Sequence, residues 1–196
     1  MTFDDLKSLA LETVTNPAQA AKRVLALDVP MQAVWMGLGL VAVLNGIYYS
    51  VLLPGLAQAG LAVPAMVGSP VTLTGFILVI FVLMVFLTAF SGRLLGGIGD
   101  VESVGKITVW LQMLRVVAQV VISILSLVSP LLGWLAATAL GIWGIWILLN
   151  FVAQAHGFNI PKALGTLAVM FVGLIVVMSV LSAALGLAPP AQTGDF

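Results

Sequence analysis

Val71-Thr-Leu-Thr-Gly-Phe-Ile-Leu-Val-Ile-Phe-Val-Leu-Met-Val-Phe-Leu-Thr-Ala-Phe90 carries no charged, amide or imidazole side chain. At about 1.5 Å per residue a helix of this length crosses the roughly 30 Å hydrocarbon core of a bilayer. A strand is excluded, because open sheet edges cannot face lipid. Pro70 precedes the run and Ser91-Gly92-Arg93 ends it. Four more runs read the same way: Ala33–Leu53, Ile107–Val128, Leu131–Val152 and Ala163–Leu187. Pro54-Gly55 stops the first, Ser129-Pro130 turns the third into the fourth, and Pro189-Pro190 ends the last. The fold class expected is therefore an all-α integral membrane protein, a five-helix bundle over residues 31–190 with a tail at 191–196.

Composition agrees. Charged residues make up 7% of the chain against about 25% in soluble domains, and 62% are hydrophobic. Lys and Arg total 7, as do Asp and Glu. This balance argues against nucleic acid as a partner, because phosphate binding needs a basic excess. The absence of cysteine removes disulfides, thiolate metal sites, catalytic thiols and S-palmitoylation. The acidic start Met1-Thr2-Phe3-Asp4-Asp5 does not resemble a cleavable signal, and Thr2 excludes the usual myristoylation start.

The connections set an orientation. Lys7, Lys22, Arg23, Arg93, Lys106 and Lys162 all fall on one side, and no Lys or Arg falls in the connections on the other. The positive-inside rule then predicts a cytoplasmic N-terminus and an external C-terminus. Residues 1–30 form a separate cytoplasmic segment. Thr2 with Asp4 and Asp5 starts one short helix, and Asn16-Pro17 starts a second that runs to about Leu27. Both are expected to be amphipathic helices at the cytoplasmic membrane surface; alternatively, the first packs on the protein's own cytoplasmic loops. The outer connection Gln58–Pro70 is apolar, with a helical turn expected around Pro64-Ala65-Met66. No long internal repeat or low-complexity tract is present.

Catalytic signatures are missing. Gly97-Ile98-Gly99 lacks the context of a dinucleotide fingerprint, and one histidine without thiols does not make a zinc or haem site. An enzyme is not expected, nor are a cofactor, a metal or catalytic residues. The candidate intramembrane site centres on Arg115, with Gln112 and Gln119 on the same helix face at i−3 and i+4. Such a track suits a lipid head group, an anion or a partner's carboxylate. Alternatively, Arg115 snorkels to the interface or pairs with Asp100 or Glu102. Asn45, Asn150 and Gln154 are further candidates, although side-chain amides in bundles most often hydrogen-bond between helices as packing residues. His156 reads as a solvated or capping residue. Gly96, Gly97, Gly99, Asp100 and Glu102, with His156, form a candidate partner contact on the cytoplasmic side; otherwise the two acids cap the third span. Gly133-Ala137-Gly141, Ser179-Ala183 and Ser182-Gly186 are small-residue stripes that permit close helix approach, within the chain or in a homo-oligomer.

Several segments together resemble the Yip (Ypt-interacting protein) domain family in its bacterial branch. They are the Asn16-Pro17 lead into Lys22-Arg23-Val24-Leu25, the connector Leu95-Gly96-Gly97-Ile98-Gly99-Asp100-Val101-Glu102, and Asn150-Phe151-Val152-Ala153-Gln154-Ala155-His156-Gly157-Phe158. The resemblance covers nearly the whole chain and brings no catalytic residue. It implies a non-enzymatic membrane-organising or partner-recruiting scaffold, with membrane lipids and membrane or cytoplasmic proteins as partners, in a bacterial cytoplasmic membrane. Eukaryotic relatives are linked to Rab-type GTPases. The long N-terminal domain with its Asp-Leu-Tyr-Gly-Pro-like motif is absent, and so is the proline after the connector, so the resemblance does not carry GTPase recruitment across. The competing expectation is a small transporter, channel or lipid scramblase built around Arg115.

Overall fold

A computed structural model describes residues 2–58 and 69–184. These form seven helices: α1 Phe3–Thr15, α2 Pro17–Leu25, α3 Met31–Gln58, α4 Pro70–Leu94, α5 Val101–Val128, α6 Pro130–His156 and α7 Ile160–Ala184. Five of them, α3 to α7, are long and apolar enough to cross a membrane, and no strand occurs among the described residues. The turn expected at Pro64–Met66, the end of the fifth run at Leu187, Gly186 and the tail lie outside the described residues.

Helix ends follow local chemistry. Thr2 and Asp5 form a capping box, the Asn16 side chain accepts from the Gln19 N–H at 3.3 Å, and Asp100 accepts from the Ser103 N–H at 2.8 Å. Each occupies donors that the first helical turn leaves free. Gly157, at φ 70°, closes α6 in the left-handed region, and the Phe158 N–H returns to the Ala153 carbonyl at 2.7 Å. Pro54 does not end α3, which continues to Gln58; it lies near the helix end, where few backbone bonds remain to be lost.

Helix α3 packs on α4 and α5, α5 forms a tight hairpin with α6, and α7 closes against α4 and α6. Glycines set the approach. A Cβ on Gly37 would meet Val109, one on Gly105 would meet Val34, and one on Gly133 would collide with Ser126. Gly133 thus serves an approach within the chain, whereas Ala137 and Gly141 of the same stripe are exposed and nothing lies within 4 Å of a Cβ on Gly141.

The core is lopsided. Among the described residues, apart from Leu73 and mid-span Phe81, the buried apolar side chains belong to α1 and α2 or to the half of each spanning helix nearer the basic connections. Leu38, Val41, Phe81, Val85 and Val104 form one cluster, and Leu9, Val24, Ile107, Phe151 and Val152 form another. At the opposite end, α6 from Trp134 to Trp146 is exposed except for half-buried Ala136 and Gly144. Among the described residues, packing is thus concentrated toward the basic end.

Of the two positions expected of α1, packing on the protein's own connections gives way to packing on the spans themselves. Helices α1 and α2 form a hairpin docked along the flank of α5 and α6. Leu9, Ala20, Ala21 and Val24 are buried there, the Trp110 indole donates to Thr13 Oγ1 at 3.0 Å, and the Trp143 indole donates to the Val14 carbonyl at 3.0 Å. Trp143 lies 13 residues from the end of α6 at His156, about 20 Å along the helix. The hairpin therefore reaches to mid-length on a membrane span. An Arg23–Glu12 ion pair joins its two arms.

Candidate functional site

Among the described residues, one polar constellation lies at mid-span and another at the basic end. Asn45 lies 14 residues into α3 and Arg115 lies 14 residues into α5, so these parallel helices bring them level. Asn45 is fully buried. Its Oδ1 accepts from Arg115 Nη2 at 3.0 Å and from Gln119 Nε2 at 3.3 Å, while its Nδ2 donates to the Val41 carbonyl at 2.7 Å. Gln119 Nε2 also reaches Tyr49 Oη at 3.3 Å, and one turn beyond, Tyr48 Oη and Ser123 Oγ are 3.2 Å apart. The guanidinium lies over the Phe81 ring, 5.8 Å from its centroid. A charge in the bilayer core costs roughly 2.5–3.5 kcal/mol on insertion scales. One charge-assisted bond of about 1.5–3 kcal/mol and a cation–π contact of about 0.5–2 kcal/mol offset much of that cost.

Arg115 pairs with neither Asp100 nor Glu102. Asp100 is committed to its cap, and Glu102 bonds Lys106 at 2.8 Å, one turn along its own helix. The carbonyl oxygens of Gln112 and Gln119 are buried without a partner. Asn150 stands apart on α6, with its amide returned to the Trp146 carbonyl at 2.8 Å, and Gln154 is on the same helix near the basic end. Tyr49 and Phe81 belong to the cluster and were missed in the sequence. Tyr49 follows Asn45 by one helical turn, a signal that was available; nothing in the sequence points to Phe81.

The second constellation corrects the reading of His156. It is not solvated: the residue is 1% exposed, and both ring nitrogens are buried without a partner. A Cβ on Gly92, Gly97 or Gly99 would collide with the His156 ring, and one on Gly97 with Phe158 as well. The connector's glycines therefore form a cradle for an imidazole. Phe158 stacks on the ring at 5.5 Å, and Lys162 Nζ lies 5.3 Å from the Phe158 ring centroid. The Ile98 N–H donates to the His156 carbonyl at 3.2 Å, and Arg93 Nε donates to the Gly99 carbonyl at 3.3 Å. Gly96 supplies the turn at φ 84°. Asp100 is exposed, and its bond from the Ser103 backbone holds its carboxyl below the usual 3.8.

No group of three or more potential metal ligands occurs among the described residues. A cavity of about 110 Å³ lies between α2, the start of α3 and α5, bounded by Val24, Leu27, Val34, Trp110 and Met113 with Lys106 at its edge. Its walls are mostly apolar, and Arg115 is not among them.

The profile of the Yip1 domain matches residues 11–182. The chain belongs to the Yip1 domain family. No curated protein and no solved structure gave a significant match. Yip1 membership fits the five apolar helices and makes this a multi-pass membrane protein. Two of the segments that carry the Yip resemblance, Leu95–Glu102 and Asn150–Phe158, pack together through the glycine cradle and His156.

Proposed function

We propose that this protein is a non-enzymatic, membrane-organising scaffold of the Yip1 type, seated N-terminus inward in a bacterial cytoplasmic membrane and working through its basic end. The observation that carries the reading is the α1–α2 hairpin. Its buried side covers Trp110 and Phe151, while Phe3, Leu6, Leu11 and Val14 of α1 remain exposed, Phe3 at 81% and Leu11 at 60%. A helix held on the flank of the spans offers these apolar side chains, with Lys7 among them, to the cytoplasmic leaflet or to a partner lying on it. Transport around Arg115 has less support. Arg115, Gln119 and Asn45 contact one another, and Asn150 is engaged elsewhere.

The experiment pairs two readouts on the full chain. Leu11→Glu with Val14→Glu removes the outward face and leaves Leu9 and Thr13 in place. Native mass spectrometry after gentle extraction from the protein's own membrane should find a stoichiometric protein or a defined lipid shell on the wild type that the double variant loses. Proteoliposomes should leak small ions and exchange labelled lipid no faster than empty vesicles. A flux that Arg115→Leu lowers, with unchanged retention in the double variant, would overturn the proposal.

A further inference from the structure

We propose that Arg115 holds the phosphate of an anionic phospholipid drawn from the leaflet at the basic end. The inference concerns a site the scaffold reading does not use, and it rests only on the bilayer placement of α5.

Depth comes first. Helix α5 has 28 residues, about 42 Å, against a hydrocarbon core of about 30 Å. The excess has to emerge at one end. The Ser129-Pro130 turn is flanked by Leu127, Val128, Leu131 and Trp134, which are 88%, 75%, 63% and 62% exposed, and no charge lies near it. That end stays at the edge of the hydrocarbon. The overhang falls at the end with Asp100, Glu102 and Lys106. Arg115 is 14 residues from Ser129, about 21 Å, and so about 10 Å below the opposite boundary. Helical side chains lean toward the N-terminus, here toward the basic end. A snorkelling arginine and a locally lowered head group can bridge that gap.

Charge comes second. Arg115 is exposed, and of its five donors one is spent on Asn45. No carboxylate pairs with it among the described residues. Neither unpartnered glutamine carbonyl accepts from it. The chain's acids are Asp4, Asp5, Glu12, Asp28, Asp100, Glu102 and Asp195, all outside the apolar runs. A second copy brings the same set, and the one acid that its hairpin carries toward this depth, Glu12, is already paired with Arg23. The anion has to come from elsewhere, and the lipid phosphate plane is the nearest dense source. A guanidinium already held by Asn45 and Phe81 presents its free edge as a fork, which matches two phosphate oxygens.

The test uses the full chain in mixed micelles containing equal palmitoyl-oleoyl phosphatidylglycerol and phosphatidylcholine, read by native mass spectrometry. The wild type should retain one phosphatidylglycerol in roughly tenfold preference to phosphatidylcholine, in keeping with a charge-assisted contact. Arg115→Gln should remove the preference. Asn45→Asp should remove it too, by placing a counter-charge at the atom that already accepts from Arg115; it guards against misfolding of the first variant. Inorganic phosphate at millimolar concentration should not compete. A preference that survives both variants, competition by inorganic phosphate, or a protein retained one-to-one in place of the lipid would each overturn the assignment.

Discussion

Gly92→Ala should destabilise this protein, although the site is helical. Gly92 sits in the last turn of α4, and replacing glycine by alanine in a helix ordinarily gains about 0.8–1 kcal/mol. Here the three atoms nearest an added Cβ are Cε1, Nδ1 and Nε2 of His156. The ring cannot retreat: it is 1% exposed, stacked on Phe158 and anchored through its carbonyl by Ile98. Overpacking of this kind costs about 1–3 kcal/mol, so the net loss should be as much as about 2 kcal/mol. For a chain of this length, 1 kcal/mol moves the unfolding midpoint by about 2–4 °C. We therefore expect a fall of up to about 8 °C in detergent, followed by tryptophan fluorescence. Gly141→Ala is the control, since nothing lies within 4 Å of its added methyl; it should raise the midpoint. In a His156→Ala background the Gly92→Ala penalty should vanish, giving a coupling of about 1–3 kcal/mol. A rise for Gly92→Ala like that of Gly141→Ala would refute the cradle.

Further outcomes can be checked in the same assay. Asn45→Leu strips the acceptor from both Arg115 and Gln119 and should cost about 2–4 kcal/mol, more than the shape-preserving Asn45→Asp. Thr13→Val removes the acceptor of the buried Trp110 indole; a loss of about 1–2 kcal/mol is expected, with α5 and α6 still inserted. Asp100 has a lowered pKa, so its contribution is present in full above 3.8 and is lost as the pH falls through the lowered value. Asp100→Asn should match the wild type at neutral pH and lose that acid dependence, whereas Asp100→Ala should cost about 1 kcal/mol at neutral pH.

The spans were legible because lipid imposes one rule on every backbone group, and a long uncharged run satisfies it in one way. The caps at Thr2, Asn16 and Asp100 were legible because capping is local. The cluster was half legible. Helical periodicity places Gln112, Arg115 and Gln119 on one face, but whether Asn45 or Asn150 meets them depends on helix rotation and neighbour choice. Those are set by close approaches such as Gly37 on Val109, which no single stretch encodes. His156 was misread for a related reason. Its burial depends on glycines roughly sixty residues away, and a glycine-rich connector read alone suggests flexibility, not a moulded surface. The hairpin α1–α2 was foreseen as two helices, while its docking site needed Trp110 and Trp143 to be seen as donors to Thr13 and Val14.

The outward face of α1 is the part of the account on which the scaffold reading depends. The chain contains no cysteine, so a single spin label at Leu11→Cys reports from one place, with Asp5→Cys as the reference about 120° round the same helix. In reconstituted bilayers, the Leu11 label should relax with oxygen far more than with a water-soluble nickel chelate, and the Asp5 label should show the reverse. Equal exposure of both labels to the chelate would mean that the hairpin stands clear of the membrane, and the account would fail there.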